Sequence, residues 1–358
     1  MKKRILFIGG FPPPNNGEYI FNKSLVESSL LANHILFEKL AFSEFHHPEN
    51  GKLLFLRAIF LFLKKYSSSK PNIIYLALPP SEKSFYVYFC FIVLSKLLRR
   101  RIIIHLNRIG IVRARGKNKW FGPMLNMALN KTELVQISET ANAEYAGINF
   151  KRKHICPNYI PDHLLYKKEI NHSQPLRLLF FSVIRKQKGF QDFLDAILLL
   201  QKLNINFMAT VSGTFEDKDD SRRFMSYCVQ NGLLSKIKFL GYVDGQEKIA
   251  LFQNHDIMIL PTWQKTEYMP LSILEAQYYG LTVIATKHAA IPDLIVDGKT
   301  GFFVDYYAPD QIAKKVEYLH NNRNLLGQIA VEANEFIVKN HSKNVVEKKL
   351  LHFLLDKI

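Results

Sequence analysis

Cysteine is scarce: Cys90, Cys156 and Cys228 are the only three in a chain of 358 residues. The count is odd and no metal-type spacing occurs, which argues against a disulfide framework or a cysteine metal site and points to a reducing cytoplasm. No apolar run is long enough to span a bilayer. The best, Phe85 to Leu98, holds 14 residues where ~20 are required. No secretory leader is expected, because the basic start at Met1 to Arg4 leads straight into a short apolar run, Ile5 to Gly9, and then a proline loop. Internal repeats, low-complexity tracts and RNP, zinc-finger or helix-turn-helix signatures are missing as well. Acidic residues are too few to balance the basic ones, 31 against 48, which leaves a formal net charge of +17. That excess implies an anionic partner without choosing between nucleic acid, an acidic membrane surface and phosphorylated substrates.

What is present describes two domains of ordinary size, at 48% hydrophobic and 22% charged residues, each able to bury its own core. The richest stretch runs from His255 to Val304. Asp256 to Leu260 is a short apolar run closed by Pro261, which predicts a buried parallel strand. After a loop, Pro270 fits the first turn of a helix that runs through Leu271, Ile273, Leu274 and Ala276 to Gly280. Glu267 lies before that helix and Glu275 inside it, with seven residues between them.

The free N–H groups near Leu271 and Ser272, at the positive end of the helix dipole, make a site for a phosphate group. Glu275 stands roughly 6 to 8 Å along the helix at about 1.5 Å per residue, within reach of a ribose hydroxyl pair. Glu267 faces whatever hangs from the other phosphate. The arrangement suits a nucleoside diphosphate-sugar.

Strand, proline, loop, E-x7-E, L-E-A, G-L-x-V-I-A-T, I-P-D-L-I and D-G-K-T-G-F follow one another in order. Together they resemble the donor-binding segment of the retaining GT-B glycosyltransferases of family 4, and the resemblance covers both halves of the chain. It implies an α/β protein of two Rossmann-like domains facing across a cleft. Residues 1–160 form an acceptor-side domain, residues 161–340 bind the nucleotide-sugar, and a terminal helix, 341–358, packs back on the first domain.

In the first half, Ile5 to Ile8, Asn33 to Leu40 and Ile73 to Leu78 read as strands. Glu18 to Leu31, Leu53 to Lys65 and Phe85 to Leu98 read as helices, and the alternation argues a parallel sheet covered on both faces. The loop Gly9 to Gly17 is a rigid proline turn or a phosphate loop; it resembles the family's PPP-x-x-G loop, which lines the cleft and makes Gly17 a contact. Ile102 to Ile109 is a strand whose His105 and Asn107 share a face at its carboxyl end, where open α/β sheets bind ligands. Family members often carry His-x-His there, the second histidine approaching the sugar, and Asn107 takes that place. His105 reads as a core residue or a catalytic one. Lys153 to Pro161 resembles the hinge into the second domain, and Leu164 to Pro175 reads as linker. The helices flanked by Lys64, Lys65 and Arg99 to Arg101 are aromatic and basic, which suits either sheet packing or an anionic bilayer.

In the second half, strand Leu176 to Val183 leads to Lys188 and Gly189, a cation beside a glycine at a strand-to-helix turn, able to neutralise a diphosphate. The family pattern is G-R-L-x-x-x-K-G; Val183 holds its arginine position, and Arg185 is the substitute. Asp217 and Asp219 have a metal-binding look but read as a charged loop opening a helix, because the helix dipole and Lys188 already serve a diphosphate. No metal and no cofactor are expected, the nucleotide-sugar being a co-substrate, UDP-sugar ahead of GDP-sugar. In the family the turn Gly241 to Asp244 holds the base, so Tyr242 and Val243 are candidate neighbours. Ala289 and Ala290 stand where the family often has two glycines, restricting that turn.

The resemblance implies glycosyl transfer with retained anomeric configuration to a glycan or lipid-linked acceptor, as in bacterial surface polysaccharide synthesis. Lys188 and the helix start stabilise the leaving diphosphate, Glu275 holds the ribose, and Glu267 acts on the sugar side without being a nucleophile. The expected location is the cytoplasm, peripheral on the inner face of the plasma membrane. Three alternatives stay open: a noncatalytic glycan- or nucleotide-binding GT-B protein, a GT-B sugar-nucleotide epimerase or phosphorylase, and a basic nucleic-acid-binding protein.

Overall fold

The structure, a computed structural model, describes residues 2–13, 17–45, 51–78, 82–106, 120–140, 145–162, 174–265 and 267–356. The chain divides into two units, one of Met1–Asn158 with Asn344–Ile358 and one of Tyr159–Lys343.

The first unit runs β1 (Lys3–Gly9), α1 (Gly17–Val26), α2 (Ser29–Ala32), β2 (Ile35–Ala41), α3 (Phe42–Phe45), α4 (Gly51–Ser69), β3 (Ile73–Ala77), α5 (Glu82–Leu97), β4 (Arg101–Leu106), α6 (Phe121–Leu129), β5 (Glu133–Gln136) and β6 (Arg152–Ile155). Its strands form one parallel sheet in the order β2-β1-β3-β4-β5-β6. Parallel strands need crossovers, and helices supply them, so the central strands are covered on both faces and read as unbroken apolar runs. Ile5 to Ile8 and Ile73 to Ala77 are accordingly at most 1% exposed.

One helix expected in this unit is two. Glu18 to Leu31 breaks at Ser28, whose backbone is extended and whose Oγ accepts a hydrogen bond from the Leu31 N–H at 3.2 Å, an N-cap that starts α2 afresh. The strand after it begins at Ile35 rather than Asn33. The middle of the proline loop, Asn107 and most of the 164–175 linker lie outside the described residues.

The second unit runs β7 (Leu176–Phe181), α7 (Phe190–Lys202), β8 (Phe207–Ser212), α8 (Lys218–Gln230), β9 (Ile237–Gly241), α9 (Gly245–Gln253), β10 (Ile257–Leu260), α10 (Leu271–Tyr278), β11 (Thr282–Thr286), β12 (Gly301–Val304), α11 (Pro309–Asn321) and α12 (Arg323–His341). Its parallel sheet has the order β12-β11-β10-β7-β8-β9. Counted from the first strand of the unit this is 6-5-4-1-2-3, the dinucleotide-binding order, whose direction of winding reverses between β7 and β10. Ligands of open α/β sheets sit beyond the carboxyl ends of the strands at such a reversal.

The last helix, α13 (Lys343–Leu354), lies almost wholly in the first unit. Its buried Glu347 accepts a 2.5 Å hydrogen bond from the Ser28 hydroxyl, and Phe353 stacks on His154 at 4.9 Å. Among the described residues no helix is long and apolar enough to cross a membrane.

Candidate functional site

The second unit gathers its chemistry where its sheet order reverses. Past β7 the chain makes a short 3-10 turn, Lys186–Lys188, and stops it with Gly189 in the left-handed region at φ 73°. A Cβ on Gly189 would lie 2.2 Å from the carbonyl oxygen of Pro261, the first residue after β10. Only glycine permits both that dihedral and that approach. The two loops are also tied by the Trp263 N–H donating to the Gln187 carbonyl at 2.9 Å and by the Thr262 hydroxyl donating to the same oxygen at 3.2 Å.

This contact brings Lys188 from one loop onto Glu267 from the other. The Lys188 ammonium donates to Glu267 Oε2, with the two side chains only 11% and 15% exposed. The loop carrying Glu267 is held from behind by His288, whose ring nitrogens face the Gln264 carbonyl and the Tyr306 hydroxyl, each at 2.9 Å. The next residue, Ala289, takes φ 47°. The turn therefore keeps a left-handed geometry at a position where the family pattern has glycine.

The helix α10 that follows Glu267 starts without a side-chain cap. Pro270 is its N-cap rather than its first turn, with ψ 121°, and it offers no hydrogen bond to the first N–H groups. The helix begins at Leu271 and Ser272, both half-buried. The first N–H groups of a helix have no partner within it, so this end is left for water or an anion.

Glu275, one turn further on, is not free. Its Oε1 accepts a hydrogen bond from Lys248 Nζ at 2.8 Å, and Lys248 also lies 3.8 Å from Asp244. Burial works against the Lys248 charge, but Glu275 and then Asp244 outweigh it and raise the ammonium above the usual lysine range. Asp244 in turn caps α9 through the Gly245 N–H at 2.8 Å and accepts the Tyr242 hydroxyl at 3.2 Å. Tyr242, 69% exposed, and the half-buried Val243 stand at the carboxyl end of β9. Lys248 was not singled out by the sequence. Its signal is an Asp-Gly start with lysine one turn later, a common helix opening.

Arg185 and Lys188 share a turn but go to different places. Arg185 pairs with Glu216 at 3.0 Å, past β8, and lines a cavity of about 290 Å³ with Phe190, Arg223 and Tyr227. Val183 is 41% exposed. Asp217 is the N-cap of α8, accepting the Asp219 N–H at 2.9 Å, while Asp219 and Asp220 pair with Arg222 and Arg223.

In the first unit, His105 is fully buried on β4, its Nδ1 at 2.8 Å from the Tyr75 hydroxyl. Burial, then the nearby His154, lowers its pKa to about 3, so the ring is neutral near pH 7. Gly17 is the first residue of α1.

The family model described as glycosyl transferases group 1 matches residues 164–354. The chain is 23% identical over 185 residues to WcaL of Salmonella typhimurium, a glycosyltransferase named for colanic acid biosynthesis, covering 50% of this chain and 45% of that one. It is 24% identical over 206 residues to the capsular polysaccharide biosynthesis glycosyltransferase CapM of Staphylococcus aureus, covering 57% and 51%. The chain thus spans about half the length of these curated relatives. Among solved structures, Anabaena HepE in complex with UDP-glucose superposes with a TM-score of 0.71 at 15% identity, over 99% of this chain and 100% of that one. Both units are Rossmann-like, as in GT-B glycosyltransferases. Because the family model covers more than half of its residues, including every part of the Lys188, Glu267 and Glu275 site, this chain belongs to the group 1 glycosyl transferases.

Proposed function

We propose that the protein is a family 4, retaining glycosyltransferase that takes its sugar from a nucleoside diphosphate-sugar, UDP-sugar ahead of GDP-sugar, without a metal ion. The observation that carries this reading is the Lys188–Glu267 ion pair at the β7/β10 reversal, beside the uncapped start of α10. A diphosphate set on the Leu271 and Ser272 N–H groups gains the helix dipole and the Lys188 charge together. As the bond from sugar to phosphate breaks, the negative charge grows on the diphosphate, where those donors are already aimed. Glu267 then faces the positive charge developing on the sugar. Glu275, oriented by Lys248, holds the ribose hydroxyls, and Tyr242 and Val243 flank the base.

The relatives named for capsular and colanic acid synthesis support a growing glycan or lipid-linked glycan as the acceptor, and the HepE complex supports a UDP-sugar donor. We place the reaction in the cytoplasm at the inner face of the plasma membrane. The amphipathic α4 supports this, exposing Leu56, Phe60 and Leu63 on one face beside Arg57 and Lys64.

A thermal-shift panel of UDP, GDP, ADP, CMP and dTDP on wild type and Glu275→Ala tests the reading. A nucleotide at 100 times its dissociation constant adds about 2.7 kcal/mol to the native state. UDP is expected to stabilise the wild type, and Glu275→Ala is expected to lose the effect. Silence across the panel in the wild type would overturn the donor reading. With the donor known, the anomeric configuration of the product and its insensitivity to a chelator check retention and metal independence.

A further inference from the structure

At the amino-terminal ends of β4 and β5, away from the carboxyl ends where sheets of this kind bind nucleotides, the first unit has a pocket of about 630 Å³. Among the described residues six cations, Lys96, Arg99, Arg100, Arg101, Lys131 and Lys151, line it with a single carboxylate, Glu133. That carboxylate is already saturated. Arg101 grips it with two hydrogen bonds of 2.9 Å and Arg152 adds a third at 2.8 Å.

A simpler role for these cations is to neutralise helix ends, and part of the cluster does so. Lys96 donates to the Met127 and Asn130 carbonyls at 2.7 and 3.0 Å, which closes the carboxyl end of α6. Yet the ends of α5 and α6 together carry only about one negative charge. Arg99, Arg100, Lys131 and Lys151 are exposed and, among the described residues, have no carboxylate within ion-pair distance. Lys131 even depresses its neighbour: burial first, then the Lys131 charge, lowers the Lys96 pKa.

The backbone points the same way. Arg99 and Lys131 sit just past α5 and α6 with φ 52° and 60°. Helices usually close on glycine or asparagine at a left-handed position, and here both closures carry long cations that open onto one pocket. Such a concentration of unmatched positive charge, including guanidinium forks, suits the several oxygens of a phosphate ester better than a single carboxylate. The volume exceeds what a lone phosphate fills and lies in the range of small-molecule sites. Met127, 59% exposed, is among its lining residues.

We propose that this pocket binds a phosphate ester, borne by a soluble metabolite or by the headgroup of an anionic lipid. The proposal is independent of the donor reading, because every residue it uses belongs to the first unit and none to the nucleotide-sugar site.

The test compares wild type, the Arg99→Glu/Lys131→Glu double variant and Lys188→Ala. Each is titrated calorimetrically with glycerol 3-phosphate and sedimented with vesicles of phosphatidylglycerol or of phosphatidylcholine alone. Wild type is expected to bind the soluble ester or the phosphatidylglycerol vesicles, and the double variant to bind about tenfold more weakly or worse through loss of charge-assisted contacts. Lys188→Ala is expected to match wild type. Saturable binding of the soluble ester assigns a metabolite; binding to phosphatidylglycerol vesicles alone assigns a headgroup. Circular dichroism checks folding, and Lys151→Glu, which touches neither helix end, carries the same expectation should the double variant fail to fold. The proposal fails if wild type binds neither probe, if charge reversal changes nothing, if binding disappears in Lys188→Ala, or if single-stranded RNA outcompetes both.

Discussion

Gly189 and Pro261 are in backbone contact: a methyl group on Gly189 would come within 2.2 Å of the Pro261 carbonyl oxygen. These residues follow the adjacent strands β7 and β10, so their contact sets the distance between the two loops that carry Lys188 and Glu267. Gly189→Ala is expected to lose more than ~2 kcal/mol, from the left-handed dihedral and the collision together. It is also expected to weaken nucleotide binding, because the Lys188 loop must move away. Denaturant unfolding and a thermal shift with UDP read the two effects. A stable variant with full nucleotide affinity would show that the loops adjust independently.

Removing one partner of the Lys188–Glu267 pair leaves a largely buried charge unmatched. Lys188→Met is therefore expected to cost about 2–3 kcal/mol of stability, somewhat below the range for fully buried pairs because both groups retain some exposure. Lys188→Met/Glu267→Gln removes both charges and is expected to recover most of that loss. Turnover separates the roles, since the double variant stays down by about 100-fold or more if Lys188 stabilises the leaving diphosphate. Recovery of turnover along with stability would reduce the pair to a structural tie.

Lys248 holds Glu275 at 2.8 Å with both side chains about a quarter exposed. Solvent screens such a pair, so a double-mutant cycle between Lys248→Met and Glu275→Gln is expected to give a coupling of only about 0.5–1 kcal/mol in stability. The larger effect belongs to binding. Lys248→Met leaves Glu275 without its orienting partner and is expected to raise the dissociation constant for the nucleotide while leaving that for inorganic pyrophosphate unchanged. Equal losses for both ligands would mean that Lys248 acts on the diphosphate or on the fold.

How much of this was legible in the sequence differs between strands and side chains. Buried parallel strands announce themselves as apolar runs, which is why Ile5 to Ile8, Ile73 to Leu78 and Asp256 to Leu260 could be read directly. β5 could not: its four residues begin with Glu133 and end with Gln136, polar groups that break the apolar pattern, and the buried Glu133 is satisfied by Arg101 from the neighbouring strand β4. Lys188 and Glu267 stand out because each follows a strand at a turn marked by glycine or proline. Their contact across 79 residues was not in the pattern. The same limit applies to Arg185, read as a substitute diphosphate ligand and found paired with Glu216. Turn chemistry says where a cation starts, and tertiary packing says which carboxylate it meets.

Ala289 occupies the left-handed region at φ 47°. A Cβ in that region costs about 1–2 kcal/mol, against which glycine loses some 0.5–1 kcal/mol through its freer unfolded chain. Ala289→Gly is therefore expected to stabilise the protein by about 0.5–1 kcal/mol, read as a rise in thermal midpoint. No rise, or a fall, would show that the His288 contacts and the Ala290 N–H, which donates to the Tyr268 carbonyl at 3.0 Å, already hold the turn without strain.

His105 sets an acid limit on the first unit. Its folded pKa is about 3, from burial first and the charge of His154 second, and that of His154 is about 4, again from burial first. An unfolded histidine titrates near 6.5. Between these values the unfolded chain binds protons that the folded chain refuses, so stability is full above about pH 6.5 and falls as the pH drops toward 3. From pH 7 to pH 4.5 His105 alone is expected to remove about 2–3 kcal/mol. His105→Asn keeps a polar group near Tyr75 but cannot titrate, so it should be less stable than wild type at pH 7 and lose less on acidification. Denaturant unfolding of both proteins at the two pH values gives the comparison. Parallel losses would mean that His105 already carries its proton in the fold, or that acid unfolding of this unit is governed by its carboxylates, first among them Asp356, which burial pushes up but Lys3 and Arg152, each at 2.7 Å, hold below the usual carboxylate range.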